Sequence, residues 1–105
     1  MISQQNIDAV KNRIVDFLHP EKIILFGSYF NDTANEDSDL DILVIHKTNI
    51  PRKERRLPLR KALRDFDFPM YIVIYTPEEI DNWKDASMAF ITRIVSEGKT
   101  IYAKQ

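Results

Sequence analysis

Phe26-Gly27-Ser28-Tyr29, followed by Glu36-Asp37-Ser38-Asp39-Leu40-Asp41-Ile42-Leu43-Val44, is the stretch on which the fold turns. Ile23 to Phe26 is a short apolar run closed by Gly27, the pattern of a buried strand. A glycine there lets the backbone turn sharply and lets a ligand come close. Ser28 adds a hydroxyl, and free N–H groups at a helix start after it favour an anion. Asp39 to Ile45 reads as a second strand. Side chains alternate along a strand, so Asp39 and Asp41 share a face, about 6.5 Å apart along the backbone. From there they can converge on one metal ion, or on a pair roughly 3.5–4 Å apart. Like charges at the mouth of an apolar strand are costly unless a cation or donors offset them. Hard divalent cations such as Mg²⁺ suit carboxylates and phosphate oxygens together. Each half also has an ordinary reading: a strand end with a helix cap for Gly27-Ser28, and solvated carboxylates for Asp39 and Asp41.

Outward from this centre the periodicity is clear. Ile7, Val10, Ile14, Phe17 and Leu18 recur at helical spacing, which predicts a helix from Ser3 to Leu18, ended by Pro20. Ser28 to Asn35 is polar and fits a short helix or a turn. Arg52 to Phe66 reads as a basic helix with Leu59, Leu63 and Phe66 on one stripe. Pro58 inside it costs about 3 kcal/mol in a helix interior, so the ordered helix begins near Leu57 or kinks there. Met70 to Tyr75 reads as a third buried strand. Thr76-Pro77-Glu78-Glu79 is a helix start with a cap, an N-terminal proline and a capping box. The last helical region ends at Gly98 as a C-cap, with a break expected near Asp85. Ile101 and Tyr102 suggest a short final strand. The order α-β-(α)-β-α-β-α predicts an α/β fold, a small sheet flanked by helices.

The bulk numbers set bounds. The chain has 105 residues, the length of one domain spanning 1–105. Hydrophobic residues at 44% and charged residues at 30% are ordinary for a globular chain. A net charge of −1 argues against a polyanion binder by bulk charge. With no cysteine, disulfides, thiolate catalysis and cysteine–zinc sites are excluded, and a cytoplasmic location fits. No segment approaches the roughly 18 apolar residues of a membrane span. No dinucleotide-binding or Walker A pattern occurs.

Joined, the two halves are far more specific than either alone. Gly27-Ser28, ten residues, then Asp39-x-Asp41 resembles the signature of the DNA polymerase beta-like nucleotidyltransferases. The quoted stretch is similar to their minimal prokaryotic members, the MNT domains. The likeness extends through Thr76-Pro77-Glu78-Glu79 to Gly98-x-x-x-Tyr102. It implies the nucleotidyltransferase fold, Gly27 and Ser28 as the nucleotide-phosphate site, and Asp39 and Asp41 as catalytic ligands of Mg²⁺, with two ions expected. The reaction it implies is attack of a hydroxyl on the α-phosphate of ATP with loss of pyrophosphate. It further implies an antitoxin role: transfer of AMP to a tyrosine of a HEPN-domain toxin, in complex with that partner.

The chain also departs from that pattern. The family's third carboxylate lies a few residues before the helix-starting turn, and counting back from Thr76 reaches Tyr71. Asp67 is roughly 13 Å away in extended chain. Phe30, Asn31 and Asp32 stand where the family favours a small residue, a basic residue and a glycine. A second reading is therefore a catalytically weak antitoxin that neutralises its partner by binding. Arg52 to Arg64 carries seven bases and one acid, against five acids and no base in Asp32 to Asp41. Such a segment suits a solvated face, a triphosphate, an acidic partner or, less well, RNA. His19 and His46 lack the spacing of catalytic groups. Trp83, Met88 and Phe90 read as core, and Tyr29 as either a nucleotide contact or local packing.

Overall fold

The computed structural model describes residues 2–83 and 89–105. Helix α1, Gln4–Leu18, is capped by Ser3, whose side chain accepts from the Asn6 N–H. It closes at His19 in a left-handed conformation (φ 50°), whose N–H returns to the Val15 carbonyl. Strand β1, Lys22–Phe26, runs into a single 3-10 turn at Gly27–Tyr29. Strand β2 is Leu40–Ile45. A second 3-10 turn, Arg52–Glu54, leads into helix α2, Arg56–Ala62. Then come β3, Met70–Tyr75; α3, Pro77–Trp83; α4, Ala89–Glu97; and β4, Lys99–Ala103.

The strands form one sheet in the order β3-β2-β1-β4. β1 pairs antiparallel with both β2 and β4, whereas β2 and β3 are parallel and joined through α2. The sheet is therefore mixed, and helices cover both faces. On one face Ile23, Leu25, Ile42, Val44, Ile72 and Ile74 pack beneath α1 and α2, through Ile7, Val10 and Ile14 and through Leu59 and Leu63. On the other, Ile24, Phe26, Leu43 and Ile45 meet Ile91 and Ile94 of α4. β1 and β2 are buried on both faces, which is why they read as unbroken apolar runs. Among the described residues no helix is long and apolar enough to cross a membrane.

Several expectations are corrected. Met70–Tyr75 is an edge strand, not a fully buried one, and Tyr71 is 40% exposed. An apolar run cannot by itself tell a central strand from an edge strand with one covered face. The basic helix is shorter than Arg52 to Phe66. Pro58 lies in the first turn of α2, where its missing N–H has no helical partner to lose. Phe66 still packs on the core from beyond the helix end. Phe90 is 56% exposed and makes an edge-to-face contact with Phe26 at 6.0 Å, rather than lying in the core. Met88, the Trp83 side chain and the Asp85 break lie outside the described residues. Gly98 donates its N–H to Ile94, but its backbone is not left-handed. Its smallness is what is used: a Cβ there would sit 2.6 Å from Ile24 Cγ2 and 2.7 Å from the Ile94 carbonyl. Gly98 thus lets the end of α4 press onto β1.

Candidate functional site

The register brings the two sequence features to one end of the sheet. Phe26 lies opposite Asp41 on one side of β2, and Tyr71 lies opposite Asp41 on the other. The end of β1 and the starts of β2 and β3 therefore meet at one level. Gly27 has φ +74°, a conformation open to glycine and strained for side chains. The Asp41 carboxylate also packs against its Cα, so that any Cβ at position 27 would collide with Asp41 Oδ2. Glycine is required twice here, by the turn and by the close approach of Asp41.

Asp39 stands one residue before β2 and is exposed, while Asp41 is partly buried. Burial pushes the Asp41 carboxyl above its ordinary value, and the nearby charge of Asp39 adds to the shift. Neither carboxylate forms an ion pair or a side-chain hydrogen bond with a described residue. This is an uncompensated negative site of the kind that a cation relieves. Among the described residues no group of three or more His, Cys, Asp or Glu side chains gathers to hold a metal. The donor set fits Mg²⁺ that arrives with a nucleotide, since that ion is commonly held by one or two carboxylates with phosphate oxygens and water.

The segment between the two features is locally braced. Phe30 and Asn31 donate their N–H groups to the Gly27 carbonyl, and Thr33 donates to that of Ser28. Ser28 is half-buried, and its hydroxyl bonds no described residue. Asp32 has φ +58°, a left-handed conformation that glycine adopts without strain. Asn35 and Ser38 then clasp each other. Ser38 Oγ accepts the Asn35 N–H at 2.9 Å, and Asn35 Oδ1 accepts the Asp37 N–H at 2.8 Å. This side-chain turn delivers Asp39 to the strand mouth. Of the two readings of Tyr29, packing prevails: its hydroxyl accepts the Ile2 N–H at 2.9 Å, tying the N-terminus to the turn.

The basic segment divides into structural and open members. Arg55 is buried and forms a fork with Glu79, at 2.7 Å and 3.3 Å, and also donates to the carbonyls of Ile50 and Ile74. Glu79 completes the expected capping box: its N–H donates to Thr76 Oγ1, and its carboxylate accepts the Thr76 N–H. Burial alone would raise the Glu79 carboxyl, but Arg55 and the Thr76 N–H outweigh it and hold the group below its ordinary value. The sequence hinted at the Thr76–Glu79 box but gave no sign that Arg55 is internal. His46 is partly buried, and desolvation lowers its pKa; no carboxylate or nucleophile engages its ring among the described residues. A cavity of about 440 Å³ opens beside the Gly27 turn, with Phe26, Phe30, Asn31, Phe90 and Arg93 among its lining residues.

Comparison with known proteins follows the same lines. Residues 8–105 match the family described as polymerase beta, nucleotidyltransferase. A Methanocaldococcus jannaschii protein provisionally named protein adenylyltransferase MJ1305 is 58% identical over 43 residues. That segment is 41% of this chain and only 27% of the relative's length. A chain in a crystal structure described as a toxin–antitoxin with AMP-PNP is 26% identical with a TM-score of 0.57, over 95% of this chain and 75% of that one. A mutant of the toxin–antitoxin MntA-HpeT shares the fold at a TM-score of 0.56 and 22% identity, over 93% of this chain and 73% of that one. The match spans nearly the whole chain, and the chain belongs to the polymerase beta nucleotidyltransferase family.

Proposed function

We propose that this nucleotidyltransferase transfers AMP from ATP to a hydroxyl of a partner protein, a tyrosine of a HEPN-type toxin, and so acts as an antitoxin. The observation that carries the reading is the seating of Asp41 on Gly27. It joins a phosphate-sized turn and two uncompensated carboxylates in one place. The names of the similar chains, one an adenylyltransferase and one a toxin–antitoxin with AMP-PNP, support the substrate and the partner class.

In this reading Ser28 and the Gly27 turn hold the nucleotide phosphates. Asp39 and Asp41 hold Mg²⁺, which supplies charge neutralisation and polarises the α-phosphoryl group. The acceptor oxygen forms a bond to the α-phosphorus, the bond to the bridging oxygen breaks, and pyrophosphate leaves. The hydroxyl proton passes to the exposed Asp39 carboxylate or to the water around it, because Tyr71 is a phenol and a poor base near neutral pH.

The test combines the purified chain, labelled ATP, Mg²⁺ and the product of the neighbouring gene. Label passes to that protein, and the Asp39→Asn, Asp41→Asn double variant passes none. Transfer that survives the double substitution sinks the assignment. A second reading, neutralisation by binding alone, is favoured by Tyr71 lying opposite Asp41. It predicts that the double variant still silences its partner and that wild type gains no thermal stability from millimolar ATP with Mg²⁺.

A further inference from the structure

Between α2 and the free edge of β3 runs a groove of about 730 Å³. A smaller cavity of about 370 Å³ continues it towards the turn at Arg52–Glu54, and Arg56 and Tyr71 line both. Arg60, Lys61 and Arg64 stand along the larger groove and Lys53 along the smaller. None of these cations, nor Arg56, lies within ion-pair distance of a described carboxylate. Arg13 and Arg55, by contrast, are both committed, to Asp65 and Glu79. The groove is not only charged. Phe68, Met70 and Ile72 also line it, and Leu57, 59% exposed, stands at its side.

Its backbone is closed to strand addition at two points. The Ile74 carbonyl accepts from Arg55 and the Ile72 carbonyl from Arg56, so outward-facing acceptors of the edge strand are already occupied by guanidinium groups. A partner is therefore read by side chains. The groove also leads to the site: Tyr71, at its wall, is the residue opposite Asp41.

We propose that this groove is the docking track for an acidic, partly apolar segment of the acceptor protein, which brings the acceptor hydroxyl past Tyr71 to Asp39 and Asp41. The proposal rests on the transfer reading above for the direction in which the segment points. Charge complementarity selects an acidic occupant. The aliphatic part of the lining, Leu57, Met70 and Ile72, suits the apolar side chains of a peptide better than the flat bases of a nucleic acid.

The probe is a fluorescent synthetic peptide of alternating glutamate and leucine with one tyrosine, read by anisotropy. Its lysine counterpart and a single-stranded oligouridylate serve as comparisons. Wild type binds the acidic peptide, and Arg60→Glu, Lys61→Glu, Arg64→Glu weakens it about tenfold or more. The milder Arg60→Gln, Lys61→Gln, Arg64→Gln variant, with melting temperature checked, weakens it in the same direction. In the transfer assay the charge-reversed variant raises KM for the acceptor protein and leaves KM for ATP in place. Peptide binding lost in the triple variants but no transfer by wild type would keep the groove and overturn the transfer reading. Wild type that ignores the acidic peptide or prefers the oligouridylate, or triple variants that bind the acidic peptide as tightly as wild type, overturn the groove.

Discussion

Two charged clusters border the same sheet and have opposite fates. Arg55 and Glu79 are buried together, 8% and 24% exposed, and their hydrogen-bonding atoms are matched by one another and by backbone groups. Asp39 and Asp41 share a strand mouth with no cation beside them among the described residues, and Asp41 is pushed towards its neutral form. The first cluster has spent its charge on holding α3 to β3 and the connection after β2. The second retains its charge for something outside the chain. Satisfied charge marks structure here, and unsatisfied charge marks the candidate site.

Replacing the members of each cluster breaks or sharpens that contrast. The largest effect belongs to Asp39→Asn with Asp41→Asn, which lowers label transfer on the order of a thousandfold or more. Melting temperature is unchanged or rises, because a like-charge repulsion disappears; a calorimetric fall in stability would place the pair with Arg55 and Glu79 instead. Arg55→Met costs about 3 kcal/mol by urea unfolding, since it strands a buried carboxylate. Arg55→Met with Glu79→Met costs less than the single variant, and equal losses would deny the coupling. Gly27→Ala costs about 1–2 kcal/mol from its left-handed backbone, and because it displaces Asp41 it removes the ATP-induced thermal shift as well.

The pH dependence is smaller and has a definite sign. Glu79 is held below its ordinary value of 4.5 in the folded chain. Its contribution to stability is complete above that value and is lost as pH falls below it, through the folded pKa. The stability gap between wild type and Glu79→Gln therefore narrows on acidification from pH 6 towards roughly pH 3, and a gap that widens refutes the pairing. The smallest effect is Asp32→Gly, which relieves a positive φ and raises stability by about 1 kcal/mol or less; a loss would mean that the Asp32 carboxylate itself holds the turn.

What the residues disclosed in advance was local chemistry. The start of α1 near Ser3, the Thr76–Glu79 box and the glycine turn after β1 each depend on neighbours within a few positions, and each is where the pattern puts it. Counting back from Thr76 reaches Tyr71 but not its neighbour; that it lies opposite Asp41 needs the register of β2 with β3. What stayed hidden depends on partners far along the chain. Met70–Tyr75 carries no mark of being at an edge, because edge and centre differ in pairing and not in composition. Arg55 sits in a run of bases, and the partners that make it internal, Glu79 and the Ile74 carbonyl, lie far along the chain. Gly98 reads as a helix stop, yet its reason is the Ile24 side chain beneath it. The strand-mouth pair was legible because both halves of its signature are short and rigidly spaced, while its uncompensated charge needed the packed structure to be seen.

The arginine clasp on β3 has an evolutionary corollary. With the Ile72 and Ile74 carbonyls occupied from within the chain, recognition at that flank is written in exposed side chains alone. Such lettering can be exchanged without touching the ladder or the core. Changes there would therefore alter what the flank can bind without disturbing the sheet that carries Gly27 and Asp41.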